Sequence, residues 1–143
     1  MKILSDVVCD KLSEAAKQKA DELGLDISFA IYDANGLVLL FRRYGNAPAI
    51  STKLASWKAY TSAMMFMPTE QLAKMCADDE PLMGLQNKDS KITLVSGVYP
   101  LVYENKCVGW IGVVGGRGNE DNIIAEHVLD VFEKINYKKI KTE

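Results

Sequence analysis

Gly97-Val-Tyr-Pro-Leu-Val-Tyr-Glu-Asn-Lys-Cys-Val-Gly-Trp-Ile-Gly-Val-Val-Gly-Gly-Arg-Gly-Asn119 is the stretch whose reading decides the fold of this chain. Two apolar runs, Val98–Tyr103 and Cys107–Val114, flank a polar turn at Glu104-Asn105-Lys106, the pattern of a β-hairpin. Gly109 and Gly112 interrupt the second run, and glycine weakens a strand unless something approaches its backbone closely. The run ends in Gly115-Gly116-Arg117-Gly118-Asn119, and a helical pattern follows to Ile135. Asn119 is placed to cap that helix, and Glu120 and Asp121 stand in the first turn, where negative charge suits the helix dipole. Ile124, Val128, Val131 and Ile135 recur at helical spacing as its buried stripe, with Phe132 beside it.

Upstream, residues 4–23 are amphipathic at helical spacing, with Leu4, Val8, Leu12, Ala16 and Leu23 near one stripe. Ser5 or Asp6 caps the start, and Gly24 suits the position just past the end. Strands are expected at Ile27–Tyr32 and Leu37–Arg43, joined by Asp33-Ala34-Asn35-Gly36, where Asn-Gly favours a hairpin because both residues tolerate positive φ. Helices are expected over Ser51–Phe66 and Thr69–Cys76, then an irregular link to Ser90 and a strand at Lys91–Val95. No βαβ alternation is present, so a Rossmann or P-loop fold is disfavoured. The pattern predicts a single α+β domain over 1–143, an antiparallel sheet with helices packed on it.

A chain of 143 residues buries roughly 65–70% of its unfolded surface, enough for a core without staples. The net charge of -2 argues against nucleic acid as the main partner, because phosphate binding needs a concentrated basic footprint. The one basic cluster, Lys134 with Lys138-Lys139-Ile140-Lys141, reads as a solvated helix end. The three cysteines, Cys9, Cys76 and Cys107, have no metal-ligand spacing and make no secreted disulfide framework. No apolar run is long enough for a signal peptide or a membrane span, so the expected setting is cytoplasmic, without a membrane partner.

Candidates for chemistry are few. The Gly115-Gly116-Arg117-Gly118-Asn119 turn opens a helix whose first N–H groups lack intrahelical partners, and such an end can hold a carboxylate or phosphate with help from Arg117. The competing reading is a turn that needs only permissive backbone, and Glu120 and Asp121 would repel an anion. The turn lacks the Lys-Ser/Thr of a P-loop. His127, the only histidine, could ligate a haem iron or act as a base, or be a boundary residue. Met64, with Met65, Met67, Met75 and Met83, would line an apolar cofactor pocket or a subunit interface. Lys58 and Tyr60, in an otherwise apolar helical segment, are candidate ligand contacts; Lys58 could equally snorkel to solvent. No serine elbow or activated cysteine is evident, so no catalytic residue is assigned.

Leu25-Asp-Ile-Ser-Phe-Ala-Ile-Tyr-Asp-Ala-Asn-Gly-Leu-Val-Leu-Leu-Phe-Arg-Arg43, Ser56-Trp-Lys-Ala-Tyr-Thr-Ser-Ala63, Pro81-Leu-Met-Gly-Leu85 and Val108-Gly-Trp-Ile-Gly-Val-Val-Gly-Gly116 follow one another in an order and spacing that resemble the GlcG/HbpS family. That family includes the C-terminal domain of PduO. The resemblance spans roughly residues 5–135 and implies a profilin-like or PAS-like fold, a five-stranded antiparallel sheet with helices on its faces. It further implies a homo-oligomer that binds haem or another small organic ligand, a cobalamin-related one among them. The implied role is an accessory one, with a bacterial microcompartment as one setting. The alternatives are a structural accessory subunit and an enzyme acting on a small acid or tetrapyrrole. Lys58-Ala-Tyr-Thr-Ser62 stands where many relatives carry Lys-Ala-Arg-Thr-Ala, and the first helix lacks the histidine that the PduO-type domain uses for haem. An iron ligand would then come from His127, Tyr60 or Met64. The adenosyltransferase domain of full PduO is not represented here, so that activity is not expected.

Overall fold

The computed structural model describes residues 2–49, 51, 53, 98–116 and 119–141. Helix α1 spans Asp6–Glu22; Ser5 caps it by accepting a hydrogen bond from the Val8 N–H at 3.3 Å. It ends at Leu23, and Gly24, at φ 69°, takes the left-handed position that only glycine adopts cheaply. The expected stripe is buried through Leu4, Val8, Leu12 and Ala16, widened by Cys9, Ala15 and Ala20.

Four strands follow: β1 (Ser28–Asp33), β2 (Val38–Arg43), β3 (Val98–Tyr103) and β4 (Lys106–Val114). They form one sheet in the order β2-β1-β4-β3, and every neighbouring pair is antiparallel. The sheet is therefore four-stranded among the described residues. Lys91–Val95, expected to add a fifth strand, lies outside them, as do the expected helix from Leu54 to Phe66, the helix at Thr69–Cys76 and the link to Ser90. Ala49, Ser51 and Lys53 are helical, in keeping with a helix starting there.

Alternation along the strands divides the sheet into two faces. Phe29, Ile31, Leu101, Ile111 and Val113 face one side and pack with α1 and with helix α2 (Glu120–Glu133), which contributes Ile124, Ala125, Val128 and Phe132. Each of the phenylalanine, isoleucine, leucine and valine side chains among them stabilises the fold by about 1.5–3 kcal/mol when fully buried. Ala30, Val98 and Trp110, with Tyr32 and Val114, form a smaller cluster on the opposite side. There the Ser28 and Ser51 hydroxyls are hydrogen-bonded at 2.8 Å.

In the first hairpin the turn departs from the expected Asn-Gly geometry at one residue. Asn35 does not take positive φ; only Gly36 does, at 83°. Asp33 organises that loop instead, its Oδ1 accepting from the Asn35 and Leu37 N–H groups at 2.9 Å each. The left-handed pair falls at Glu104 (φ 48°) and Asn105 (φ 64°), between the partnered residues Tyr103 and Lys106. That is the two-residue hairpin turn that matches strand twist. Gly109 answers the expectation of close packing: a Cβ there would meet the Tyr32 carbonyl oxygen and lie 2.5 Å from Leu4 Cδ1.

Arg42 and Arg43 diverge as period-two alternation requires. The Arg42 guanidinium lies 4.9 Å from the Tyr44 ring centroid, and Arg43 Nε donates to the Ala47 carbonyl at 2.7 Å. The buried Tyr44 hydroxyl is hydrogen-bonded to the Ser13 hydroxyl and reaches the Ser13 carbonyl at 3.2 Å. α2 stops at Glu133, one short of the Lys134 cap, and a short helix α3 (Tyr137–Lys141) follows. Tyr137 packs edge-on against Tyr103, with ring centroids 4.9 Å apart.

Candidate ligand site at the glycine turn

β4 ends at Val114 and hands the chain to Gly115 and Gly116 before α2 begins at Glu120. Gly115 has φ 140°, and a Cβ there would run into the Asp26 carbonyl oxygen and lie 2.9 Å from Ile27 Cα. The turn is thus pressed onto the chain that leads into β1, and only a residue without a side chain fits. Gly116 donates its N–H to Asp121 Oδ1 at 2.7 Å, and a Cβ at Gly116 would lie 2.6 Å from Glu120 Cβ. Asp121 is only 8% exposed. Its carboxylate occupies the place where an external anion would meet the Gly116 N–H. The expected repulsion has become an internal bond of the charge-assisted kind.

Asn119 holds the cap position but makes no side-chain bond to the helix backbone. Its Oδ1 accepts instead from Asn122 Nδ2 at 3.0 Å. The other amide atom, Asn122 Oδ1, is buried without a hydrogen-bond partner. His127 lies further along α2, half-buried, and its Nε2 is also buried without a partner. Trp110 Nε1 and the Tyr137 hydroxyl are likewise buried without a partner among the described residues. Gly115, Gly116, Asn119 and His127 are thereby located; Lys58, Tyr60, Met64, Arg117 and Gly118 lie outside the described residues.

The remaining titratable groups are structural in character. The Cys9 thiol, buried and 3.8 Å from the Leu4 carbonyl, is pushed up to about 11, chiefly by burial and then by Asp6. Burial, followed by the nearby Tyr103 and Cys9, pushes the Tyr137 hydroxyl up to about 12. Both therefore stay protonated at neutral pH. No group of three or more His, Cys, Asp or Glu side chains able to hold a metal ion is found among the described residues, and none of the described helices is long and apolar enough to cross a membrane. Two open cavities are lined by described residues. One, of about 290 Å³, lies between α1 and β2 beside Tyr44; the other, of about 360 Å³, lies at the far end of the sheet beside Lys106. Neither touches the glycine turn or His127.

Sequence reading found the glycine turn but missed the residue that fills it. The signal was Asp121 itself, two places into the helix and five beyond Gly116. It missed the Ser13–Tyr44 pair because those residues are 31 positions apart and neither carries a motif.

The family model described as haem degrading protein HbpS-like matches residues 4–130. The chain is 29% identical over 126 residues to an uncharacterised 15.0 kDa protein of the dhaT-dhaS intergenic region of Citrobacter freundii, covering 87% of this chain and 89% of that one. It is 32% identical over 120 residues to the corrinoid adenosyltransferase PduO of the same organism, covering 83% of this chain but 36% of PduO. Among solved structures, the PduOC:heme complex superimposes with a TM-score of 0.85 at 28% identity, covering 89% of this chain and 93% of that one.

Proposed function

The chain belongs to the HbpS-like family, and from that membership we propose that it is an accessory protein that binds haem or a related small organic ligand, without turnover of its own. The observation that carries this reading is the near full-length likeness to a chain solved as a haem complex. His127 suits the group by its chemistry, since imidazole is an ordinary iron ligand and its Nε2 has no hydrogen-bond partner among the described residues. In this reading His127 would hold the iron. Gly115, Gly116, Arg117, Gly118 and Asn119 form the rim, and Lys58, Tyr60 and Met64 complete the pocket. With Asp121 already bonded to Gly116, the anionic edge of a ligand is left to Arg117. Bound haem would supply iron-centred redox chemistry; the protein's part is to hold and orient it.

The finer architecture belongs to the same proposal. A fifth strand at Lys91–Val95 would complete a profilin-like sheet, the whole chain would form one domain, and copies would associate into a homo-oligomer. The setting would be cytoplasmic, beside or within a microcompartment. Corrinoid adenosyl transfer is not part of the reading, because the match covers 36% of PduO. A cobalamin-related ligand is the runner-up to haem.

Titration with haemin tests the proposal. A saturable Soret band at one haem per chain is expected, and it should shift in His127→Ala while persisting in Tyr60→Phe and Met64→Leu. A spectrum indistinguishable from free haemin at all ratios would defeat the haem reading. The family's description favours one second reading, haem degradation. That would show as progressive loss of the Soret band with release of iron when dioxygen and a reductant are both supplied.

A further inference from the structure

The cavity of about 360 Å³ at the far end of the sheet is not lined by Gly115, Gly116, Asn119 or His127. Lys106 and Val114 are the two ends of β4, nine residues long, so at about 3.3 Å per residue roughly 27 Å separates this cavity from the glycine turn. The N-terminal segment, the β1–β2 loop and the start of β4 enclose it.

Its wall is divided chemically. Ile3, Leu4, Leu39 and Val108 give it an apolar floor, and all four also pack into the main core, which holds that floor in place. Lys2 and Lys106 line it as well, and neither forms an ion pair among the described residues. The one carboxylate in the lining belongs to Asp33, whose Oδ1 is engaged by two backbone N–H groups of its own loop. The cavity therefore presents two uncommitted cations above a fixed greasy surface. Its volume is at the small end of the range for ligand pockets, about 300–1,000 Å³. A polar or dianionic metabolite would waste the floor, and a neutral hydrocarbon would waste the lysines.

We propose that this cavity is a binding site for a short aliphatic monocarboxylate, with its chain on Leu4, Leu39 and Val108 and its carboxylate between Lys2 and Lys106. The exposed Cys107 lies in the same lining and is a built-in reporter of occupancy.

Amide-resolved NMR titration of the full chain with butyrate, hexanoate and hexanamide tests the proposal. Hexanoate should saturate, and its shifts should be confined to Lys2–Leu4, Asp33–Asn35 and Lys106–Val108. It should bind about fifteenfold tighter than butyrate, about fourfold for each added methylene buried. It should bind about fivefold tighter than hexanamide, since exposed ion pairs contribute little each. The doubly substituted Lys2→Gln, Lys106→Gln protein, changed only at exposed side chains, should bind the acid and the amide equally. Saturating hexanoate should also slow alkylation of Cys107 by iodoacetamide, read by peptide mass. No saturation below about 10 mM would overturn the proposal. So would equal affinity for acid and amide in the unsubstituted protein, or shifts centred on the glycine turn.

Discussion

Replacing Asp121 by alanine should cost far more than replacing Asn119, although Asn119 holds the position at which asparagine normally caps a helix. The Asp121 carboxylate accepts the Gly116 N–H at 2.7 Å and is 8% exposed, so water cannot take its place readily. A hydrogen bond to a charged group contributes about 1.5–3 kcal/mol, and a carboxylate in the first turn of a helix adds about 0.3–1 kcal/mol. The Asp121→Ala loss should therefore be about 2–4 kcal/mol. Asn119 is exposed and makes no bond to the backbone of α2. Its side chain supports only Asn122, and water can take over that role. Asn119→Ala should stay below about 1 kcal/mol, the usual loss for a capping asparagine. In urea, with a slope near 2 kcal/mol/M for a domain of this kind, the midpoint should fall by about 1–2 M for Asp121→Ala and by no more than about 0.5 M for Asn119→Ala. Asp121→Asn, which keeps an acceptor but not the charge, should lie between. Equal losses, or a larger loss at Asn119, would refute the claim that the turn is filled from within. Phosphate added to Asp121→Ala should raise its midpoint more than that of the unsubstituted protein, because the Gly116 N–H is then free for an outside anion.

Gly109→Ala should destabilise by about 1–3 kcal/mol by denaturant titration, since the new methyl meets both the Tyr32 carbonyl and Leu4. Putting Asn-Gly at positions 104–105 should instead raise stability by about 0.5–1 kcal/mol, because Glu104 and Asn105 already hold the left-handed conformation that turn prefers. Stability should fall in alkali in two overlapping steps. Cys9 keeps its proton in the folded state from its ordinary 9.0 up to about 11, and Tyr137 from 10.0 up to about 12. The stability each contributes is whole below the lower value and lost as pH rises through the upper one. Urea midpoints from pH 8 to about 12 should show the fall, and Cys9→Ala should lack the earlier step.

The elements were legible in the sequence where one period dominated. The stripe of α1, the position of β1 and the capping Ser5 all follow from local pattern, and the structure departs from their expected bounds by a residue or two. Turn chemistry was less legible. Asn35-Gly36 is the stronger hairpin signal, yet the primed turn forms at Glu104-Asn105, because the tight β3–β4 register leaves two residues to reverse the chain. The longer loop after β1 is closed by the Asp33 side chain, a turn acceptor that its place before Asn35-Gly36 did announce. At the candidate site, the glycines were legible as backbone necessities, but their occupant was not. Whether a helix end faces a ligand or its own side chain depends on one rotamer of Asp121, and no periodicity records that. The carboxylate cavity was invisible for another reason: Lys2, Asp33 and Lys106 come from three distant segments and meet only after the sheet has formed.

The surroundings of Asp26 bear on how a disturbance would travel through this molecule. The Asp26 carbonyl supports Gly115, its carboxylate Oδ2 receives the Asn46 N–H at 3.0 Å, and a Cβ on Gly45 would lie 2.6 Å from its Cγ. Three lengths of chain meet there, Gly115 against the Asp26 main chain and the Gly45-Asn46 turn against its exposed carboxylate. A tilt of α2 would reach this junction through the backbone of Gly115 and Gly116. It would pull on the strand beginning just beyond Asp26 and, through Asn46, on the loop after the neighbouring strand, so that one end of the sheet would answer as a single lever.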